Sequence, residues 1–319
     1  MKILIIRFSS LGDVVLTTGP IKLLKNYYPD IKIDLLTYSS YKAIFINNPD
    51  IDNILVIDRE QFFWEYIRLL RNILRNYQYV IDLQGNIKSI ISSFFKRKNY
   101  ALYKKYTLER RLFAKYRFFQ SKLNNHITER YLNGIKKFFY LSFETLEELR
   151  PLIYGQKVDE DERTVVIHPF ASKKTKEWPY FVQLTEYLVS NGLNVVIIGN
   201  GYFPEIKNAT NLTNKTDISR MISEISKAKV LITTDSGPMH IGIALKKRVI
   251  SIFGPTTKEF GFYPFFENCL IIEKKGLICR PCHIHGKNRC PEKHFKCMKD
   301  ISVNNVFAAT MNLFNTKNP

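Results

Sequence analysis

At four places this chain passes from an apolar run into a polar loop, and each loop carries residues that can move a proton or hold an anion. The first, Arg7-Phe8-Ser9-Ser10-Leu11-Gly12-Asp13, has Gly12 to allow a tight turn and ends on a carboxylate. Asp13 can take a proton from an alcohol as a general base, or cap the following helix for about 1 kcal/mol. The residues alone leave both open. The second loop, Asp82-Leu83-Gln84-Gly85-Asn86-Ile87-Lys88, turns at Gly85 and sets Lys88 near the start of a helix, whose amides suit anions. The third, from His168 to Pro179, holds Ser172 and the lysines Lys173, Lys174 and Lys176, which are either solvated or aimed at phosphate. His168 reads as a hydrogen-bonded structural residue and Trp178 as packing. In the fourth, Thr234-Asp235-Ser236-Gly237-Pro238-Met239-His240, the chain turns into a helix opened by Pro238. Free amides at that helix end, with the Ser236 hydroxyl, form a diphosphate site. Asp235 is either a cap or part of that site.

Two further patterns invite chemistry. Gly199-Asn200-Gly201 resembles the start of a dinucleotide fingerprint but lacks the third glycine, which is poor evidence for NAD. Four of the five cysteines fall as Cys279-x2-Cys282-x7-Cys290-x6-Cys297, with His283, His285 and His294 interspersed. In a cytosolic chain structural disulfides are disfavoured. A structural zinc or iron on the thiolates and plain buried thiols are the two readings that remain. Cys269 reads as a buried small apolar residue.

The elements that must position these loops alternate between strand and helix. In the first half strands are predicted at 2–6, 31–37, 53–57 and 79–83, with helices at 12–27, 40–47 and 61–75. The second half repeats the rhythm, with strands at 164–168, 194–198, 230–234 and 248–253 and helices at 178–190, 217–228 and 238–245. Such alternation implies parallel sheets covered on both faces. Residues 144–163, acidic and without clear period, read as the boundary between two α/β domains. In tandem, these would present their strand ends to either side of a cleft.

Composition narrows the field further. The 319 residues carry 48 Lys and Arg against 29 Asp and Glu, a net charge of +19. Twenty-three Phe and 18 Tyr exclude a low-complexity disordered chain. The run Ile3-Leu4-Ile5-Ile6 stops at Arg7, too short for a signal sequence, and the longest uncharged stretch, 187–204, is broken by glycine and asparagine. A soluble, cytoplasmic protein is expected. Residues 86–137 hold 14 Lys and Arg against Glu109 and Glu129, and thus twelve of the net charges, together with ten Phe and Tyr. Within them Leu108, Leu112, Phe113, Tyr116 and Phe119 fall at helical spacing, with Arg110, Arg111, Lys115, Arg117 and Lys122 largely on the remaining arc. Charge this lopsided favours an anionic partner; composition does not choose between lipid and nucleic acid.

With these residues in view, the chain resembles the bacterial heptosyltransferases, glycosyltransferase family nine, over nearly its whole length. The likeness rests on Ser9-Ser10-Leu11-Gly12-Asp13-Val14, on Asp82-Leu83-Gln84-Gly85 with Lys88, and on Lys176-Glu177-Trp178-Pro179. Asp235-Ser236-Gly237-Pro238-Met239-His240 and Phe253-Gly254-Pro255-Thr256 complete the series in the same order. The resemblance implies the GT-B fold, two Rossmann-like domains facing across a cleft. Residues 1–155 would bind the acceptor. Residues 156–319, with the Cys-rich segment at 279–297 and a C-terminal helix, would bind the nucleotide sugar. It implies transfer of heptose from ADP-heptose to the lipopolysaccharide inner core, with inversion and without a catalytic metal.

Residue by residue, Asp13 matches the family's catalytic base and Lys176 the lysine that meets the donor diphosphate. Asp235, Ser236, Gly237 and His240 match the donor-binding turn, and Glu205 the acidic residue that holds the nucleoside. Ser172 stands near the family's hydroxyl pair, in a loop one residue longer. Ser10, Gly12, Gln84 and Lys88 fall to the acceptor side. The basic stretch then has a partner in an anionic lipid-borne acceptor at the inner face of the inner membrane, with peripheral association and no nucleic acid. A protein acceptor, as in autotransporter heptosylation, or another nucleotide sugar are the variants within this class. Outside it stands a basic nucleic-acid-binding protein.

Overall fold

The computed structural model describes residues 1–60, 62–155 and 159–315; the predicted helix start at Gln61, residues 156–158 of the predicted boundary and the last four residues lie outside them. The chain divides into two compact units. One comprises Met1–Lys105 and His126–Tyr154, the other Tyr106–Asn125 and Gly155–Pro319.

In the first unit Lys2–Ile6 (β1), Lys32–Tyr38 (β2), Asn53–Ile57 (β3), Tyr79–Asp82 (β4) and Tyr100–Leu102 (β5) form one sheet in the order β3-β2-β1-β4-β5, all parallel. Ile3, Leu4, Ile5 and Ile6 are wholly buried, as a central strand covered on both faces requires. On one face Leu4, Ile6, Leu36 and Val80 pack with Tyr66, Leu70 and Leu74 of the helix Phe63–Leu74. The predicted helix 12–27 is two helices, Leu11–Leu16 and Thr18–Tyr27, parted at Thr17, whose hydroxyl donates to the Val14 carbonyl at 2.6 Å. Gly12 therefore lies within a helix and not in a tight turn. The segment predicted as helix 40–47 is the 3-10 helix Ser39–Phe45.

The second unit has Asp161–His168 (β6), Asn194–Ile197 (β7), Ala209–Asn211 (β8), Ala228–Thr234 (β9), Arg248–Phe253 (β10) and Cys269–Glu273 (β11), in the order β11-β10-β9-β6-β7-β8, again all parallel. All of β9 and β10 is buried. Trp178, Phe181, Leu184 and Leu188 fill the core beside them, and the Trp178 indole N–H donates to the Ile301 carbonyl at 3.0 Å. Cys269, expected to be buried, is half-exposed at the start of edge strand β11.

The basic stretch 86–137 is shared between the units. Its helix Thr107–Tyr116 groups with the second, where Phe113 packs with Leu123, Phe260 and Ile284. The apolar stripe read from spacing is mostly exposed. Phe113 and Arg110 point inward, whereas Leu108, Tyr116 and Phe119 are exposed. Tyr106 and Ala114 pack beside Phe113 in the same cluster. No helix among the described residues is long and apolar enough to cross a membrane.

In both sheets the order reverses once, between β1 and β4 and between β6 and β9. Loops leaving those strands diverge there and open a crevice at the strand ends. All four candidate loops leave those strands. One contact tests the packing beneath the first crevice. A Cβ on Gly19 would come within 2.1 Å of the Leu149 carbonyl oxygen, a backbone atom that has little room to yield. Gly19→Ala is expected to lower the unfolding free energy by about 1–3 kcal/mol, read from urea denaturation.

Candidate active site

At the end of β1 the chain runs straight from the buried Ile6 into Arg7, a guanidinium only 4% exposed. It survives there because of what it meets. Its Nη2 pairs with Asp13 Oδ2 at 2.9 Å, its Nη1 donates to the Leu83 carbonyl, and the rings of Tyr131 and Tyr103 lie beside it. Burial works against the charged guanidinium, but the Asp13 carboxylate, Tyr131 and Tyr103 together hold the pKa above the ordinary arginine value.

Asp13 stands in the first turn of Leu11–Leu16, and Ser10, not Asp13, occupies the cap position. The Ser10 hydroxyl donates to Asp13 Oδ2 at 2.8 Å and the Tyr131 hydroxyl to Oδ1 at 2.7 Å. A cation and two donors thus fix the carboxylate's orientation, and a cap would need none of them. Tyr131 comes from the helix Ile127–Ile135. Burial and the neighbouring carboxylate push its phenol well above the ordinary value, so it acts as a donor and not as a phenolate.

The β4 loop is locked to the β1 loop. The Gln84 side-chain oxygen accepts from the Phe8 and Ser9 amides, both at 3.0 Å. Asp82 Oδ1 accepts from the Gln84 and Gly85 amides at 2.7 and 2.8 Å, closing a turn in which Gly85 takes φ +55°. Gln84 therefore spends its acceptor on the scaffold. Lys88 lies over the rings of Tyr66 and Tyr38, at 4.9 and 5.5 Å from their centres, and burial lowers its pKa.

At the second switch point the central feature is an ion pair. Lys176 Nζ meets Asp235 Oδ2 at 2.7 Å, with both side chains largely buried. The Thr256 hydroxyl donates to the same oxygen at 2.6 Å. Burial would raise the Asp235 pKa, yet the Lys176 ammonium and these hydrogen bonds hold it below the usual carboxylate range. Ser236 is the cap residue of the helix Gly237–Ala244, whose first turn carries Pro238, and the buried His240 lies within that helix. Asp235 is thus a partner of the lysine and not the cap. His168 ends β6 with Nδ1 at 3.4 Å from both the Thr233 and Ser236 hydroxyls.

Glu205 is not part of this cluster. It lines a cavity of about 380 Å³ with Tyr202, Phe203, Asn211, Thr213 and Lys215, and its Oε1 accepts from Asn211 at 3.1 Å. Ser172 is exposed in the β6 loop. The Gly199-x-Gly201 pair is explained by packing. A Cβ on Gly199 would strike His168, and one on Gly201 would strike Phe170.

Among the described residues no group of three or more His, Cys, Asp or Glu side chains is placed to hold a metal ion. Cys279 Sγ approaches His294 Nε2 at 3.9 Å without a third donor, and the buried Cys297 thiol is pushed up to about 12 by burial. The Cys282, Cys290 and Cys279 thiols add to that rise, so the four cysteines lie near one another. What the Cys-rich segment does show is a brace. The Lys287 amide donates to the Thr175 hydroxyl at 2.7 Å, and the Thr175 amide to the Lys287 carbonyl at 3.0 Å, next to Lys176. Arg280 donates to the Gly254 and Thr256 carbonyls and pairs with Glu273 at 2.8 Å. Sequence reading missed Arg7, Tyr131, Thr256 and Arg280. Arg7 left a signal, as a charge directly after a fully apolar strand, and Thr256 one as the end of Phe253-Gly254-Pro255-Thr256.

The profile described as glycosyltransferase family 9 (heptosyltransferase) matches residues 66–293. The chain is 27% identical to lipopolysaccharide heptosyltransferase 1 of Campylobacter coli, over 98% of this chain and 99% of that protein. Among solved structures, the family 9 glycosyl transferase of Veillonella parvula superposes with a TM-score of 0.76 at 19% identity, covering 98% of this chain and 97% of that one. Escherichia coli ADP-heptose lps heptosyltransferase II gives 0.73 at 20% identity, covering 98% of each. At such identities the structures speak for the fold, which is the GT-B class of two parallel-sheet α/β domains.

Two measurements probe the second crevice. Removing one member of a buried pair strands the other, so Lys176→Met should cost about 3 kcal/mol, and adding Asp235→Leu should recover part of it. His168 has its pKa lowered from 6.5 to about 4 by burial. Above 6.5 neither state binds the proton; below it the unfolded chain does and the folded one refuses. Stability should therefore fall by about 3 kcal/mol as pH drops from 6.5 to 4, and His168→Gln should flatten that slope in unfolding titrations.

Proposed function

We propose that this chain, which belongs to glycosyltransferase family 9, the heptosyltransferases, moves a heptose from ADP-heptose to the lipopolysaccharide inner core with inversion at the anomeric carbon. The observation that carries the residue assignment is the Lys176–Asp235 pair at the start of Gly237–Ala244. An ammonium already held at 2.7 Å from a buried carboxylate, beside the open amides of a helix end, is pre-oriented for a pyrophosphate. Lys176 offsets the charge that develops as ADP departs. Ser236, Gly237 and His240 line the donor side with Asp235, and Glu205 in its cavity serves the nucleoside.

On the first unit Asp13 is the general base. Arg7, Tyr131 and Ser10 hold its two oxygens at fixed angles, and one of them takes the proton of the acceptor hydroxyl as that oxygen attacks the anomeric carbon in line. Ser10, Gly12, Gln84 and Lys88 shape the acceptor side, with the Lys88 ammonium available to an acidic group of the core. The name of the Campylobacter coli relative supports a lipopolysaccharide acceptor. The excess of positive charge supports association with the inner face of the inner membrane.

Asp13→Ala should fold normally and lower turnover at least ~10²-fold, as loss of a general base does; near-normal turnover would remove Asp13 from that role. ADP well above its dissociation constant should stabilise the protein by about 2–3 kcal/mol in thermal unfolding, with random oligonucleotides acting weakly at physiological salt. The reverse pattern would overturn the nucleotide-sugar reading.

A further inference from the structure

Two neighbouring elements of the first unit bear large apolar side chains that none of its described residues covers. Phe62 and Trp64, at the start of the helix Phe63–Leu74, are 77% and 78% exposed, and Phe63 between them is half-exposed. Ile87 opens the short helix Ile87–Ile90 at 85% exposure, and Phe94 in Ser92–Phe95 reaches 75%. The two regions are joined. The Tyr66 hydroxyl donates to the Lys88 carbonyl at 2.8 Å, the Lys88 ammonium lies over the Tyr66 ring, and Phe63–Leu74 packs against Ser92–Phe95. Scattered exposed apolar residues need no explanation; aromatics concentrated on adjoining helix ends do.

The charges around them have one sign. From 62 to 99 the chain carries seven Lys and Arg against Glu65 and Asp82, and Asp82 is wholly buried. Arg68, Arg71 and Lys98 are exposed beside the aromatics. Side chains that stand three-quarters clear of their neighbours fit a fluid interface, which receives protrusions without a matching shape. Indole and phenyl rings suit the headgroup level, and nearby basic residues suit acidic headgroups.

We infer that Phe62, Phe63, Trp64, Ile87 and Phe94 form the face by which the first unit docks on an anionic phospholipid bilayer. This inference rests on the proposed lipid-borne acceptor and adds where the membrane meets the protein. Ile87 and Lys88 belong to the loop whose Gln84 grips the Phe8 and Ser9 amides, four residues before Asp13 at the nearer. The docking face and the base therefore share one end of one sheet, so a hydroxyl borne on a lipid headgroup reaches Asp13 without leaving the bilayer surface.

The chain's two tryptophans make the test direct, because Trp178 is 2% exposed and only Trp64 meets solvent. With vesicles of phosphatidylethanolamine and phosphatidylglycerol, the Trp64 emission should move to shorter wavelength and be quenched by brominated acyl chains. Phosphatidylcholine vesicles should do neither. In co-sedimentation, the double variant Trp64→Ala/Phe94→Ala should bind the anionic vesicles about tenfold or more weakly, since interfacial binding scales with buried apolar area. Tyr140→Ala, at an exposed ring elsewhere on the unit, should bind normally.

Equal vesicle binding by the double variant would overturn the proposal, as would an emission shift that follows protein concentration without vesicles, the sign of a second copy seated there. Transfer to a delipidated acceptor separates the two readings. Its absence in the unaltered protein would strike the proposed reaction and leave the vesicle result standing. Its retention in both proteins, with equal vesicle binding, would strike the docking face alone.

Discussion

A carboxylate at the carboxyl end of a parallel sheet has lost part of its water and must be met by donors or a cation brought there by the chain. Both units of this protein are arranged around that requirement. In the first, Arg7 follows the buried strand directly and meets Asp13 one helical turn into the next element. In the second, Lys176 arrives on a 3-10 turn and meets Asp235 at the start of its loop. The placement follows from strand order, because a crevice opens only where the sheet reverses direction. Each pair is mostly shielded from solvent, so each is sensitive to the loss of one partner and tolerant of salt.

Much of this was legible in the residues. Continuous β-branched runs such as Lys2–Ile6 and Arg248–Phe253 announce central strands because such strands are apolar on both faces. The edge strands Tyr100–Leu102, Ala209–Asn211 and Cys269–Glu273 escaped, being short or only partly covered. In the site, the loops that carry Asp13, Lys176 and Asp235 could be found because they follow apolar runs. Some of their partners could not. Tyr131 reaches Asp13 from 118 residues away, and Thr256 reaches Asp235 from 21. Those distances are set by packing and not by local pattern. At 107–116 the helical spacing of apolar residues did not say which of them would be covered: Phe113 is, and Leu108 and Tyr116 are not.

The Cys-rich segment also serves the site through atoms that composition does not single out. Its cysteines and histidines suggest ligand chemistry, but the groups that engage the rest of the unit are the Arg280 guanidinium and the Lys287 backbone. Together they grip the two loops that supply Lys176 and Thr256. Gly286, at φ +74°, lets the brace lie against the Lys176 methylenes, where a Cβ would come within 2.9 Å of Cγ. The lysine's stem is confined on that side, and its ammonium is directed at Asp235.

The grouping of 106–125 with the later residues has a consequence for how the chain can be divided. Neither unit is a continuous stretch. Phe113 shares a hydrophobic cluster with Phe260 and Ile284, while Tyr131, beyond it in sequence, belongs to the earlier unit. A gene truncated at 155 would part Phe113 and Leu123 from Phe260 and Ile284. The nascent chain meets the same condition, since 106–125 leaves the ribosome long before the residues that receive it. A cut at any single peptide bond between 105 and 155 parts residues that one unit holds together.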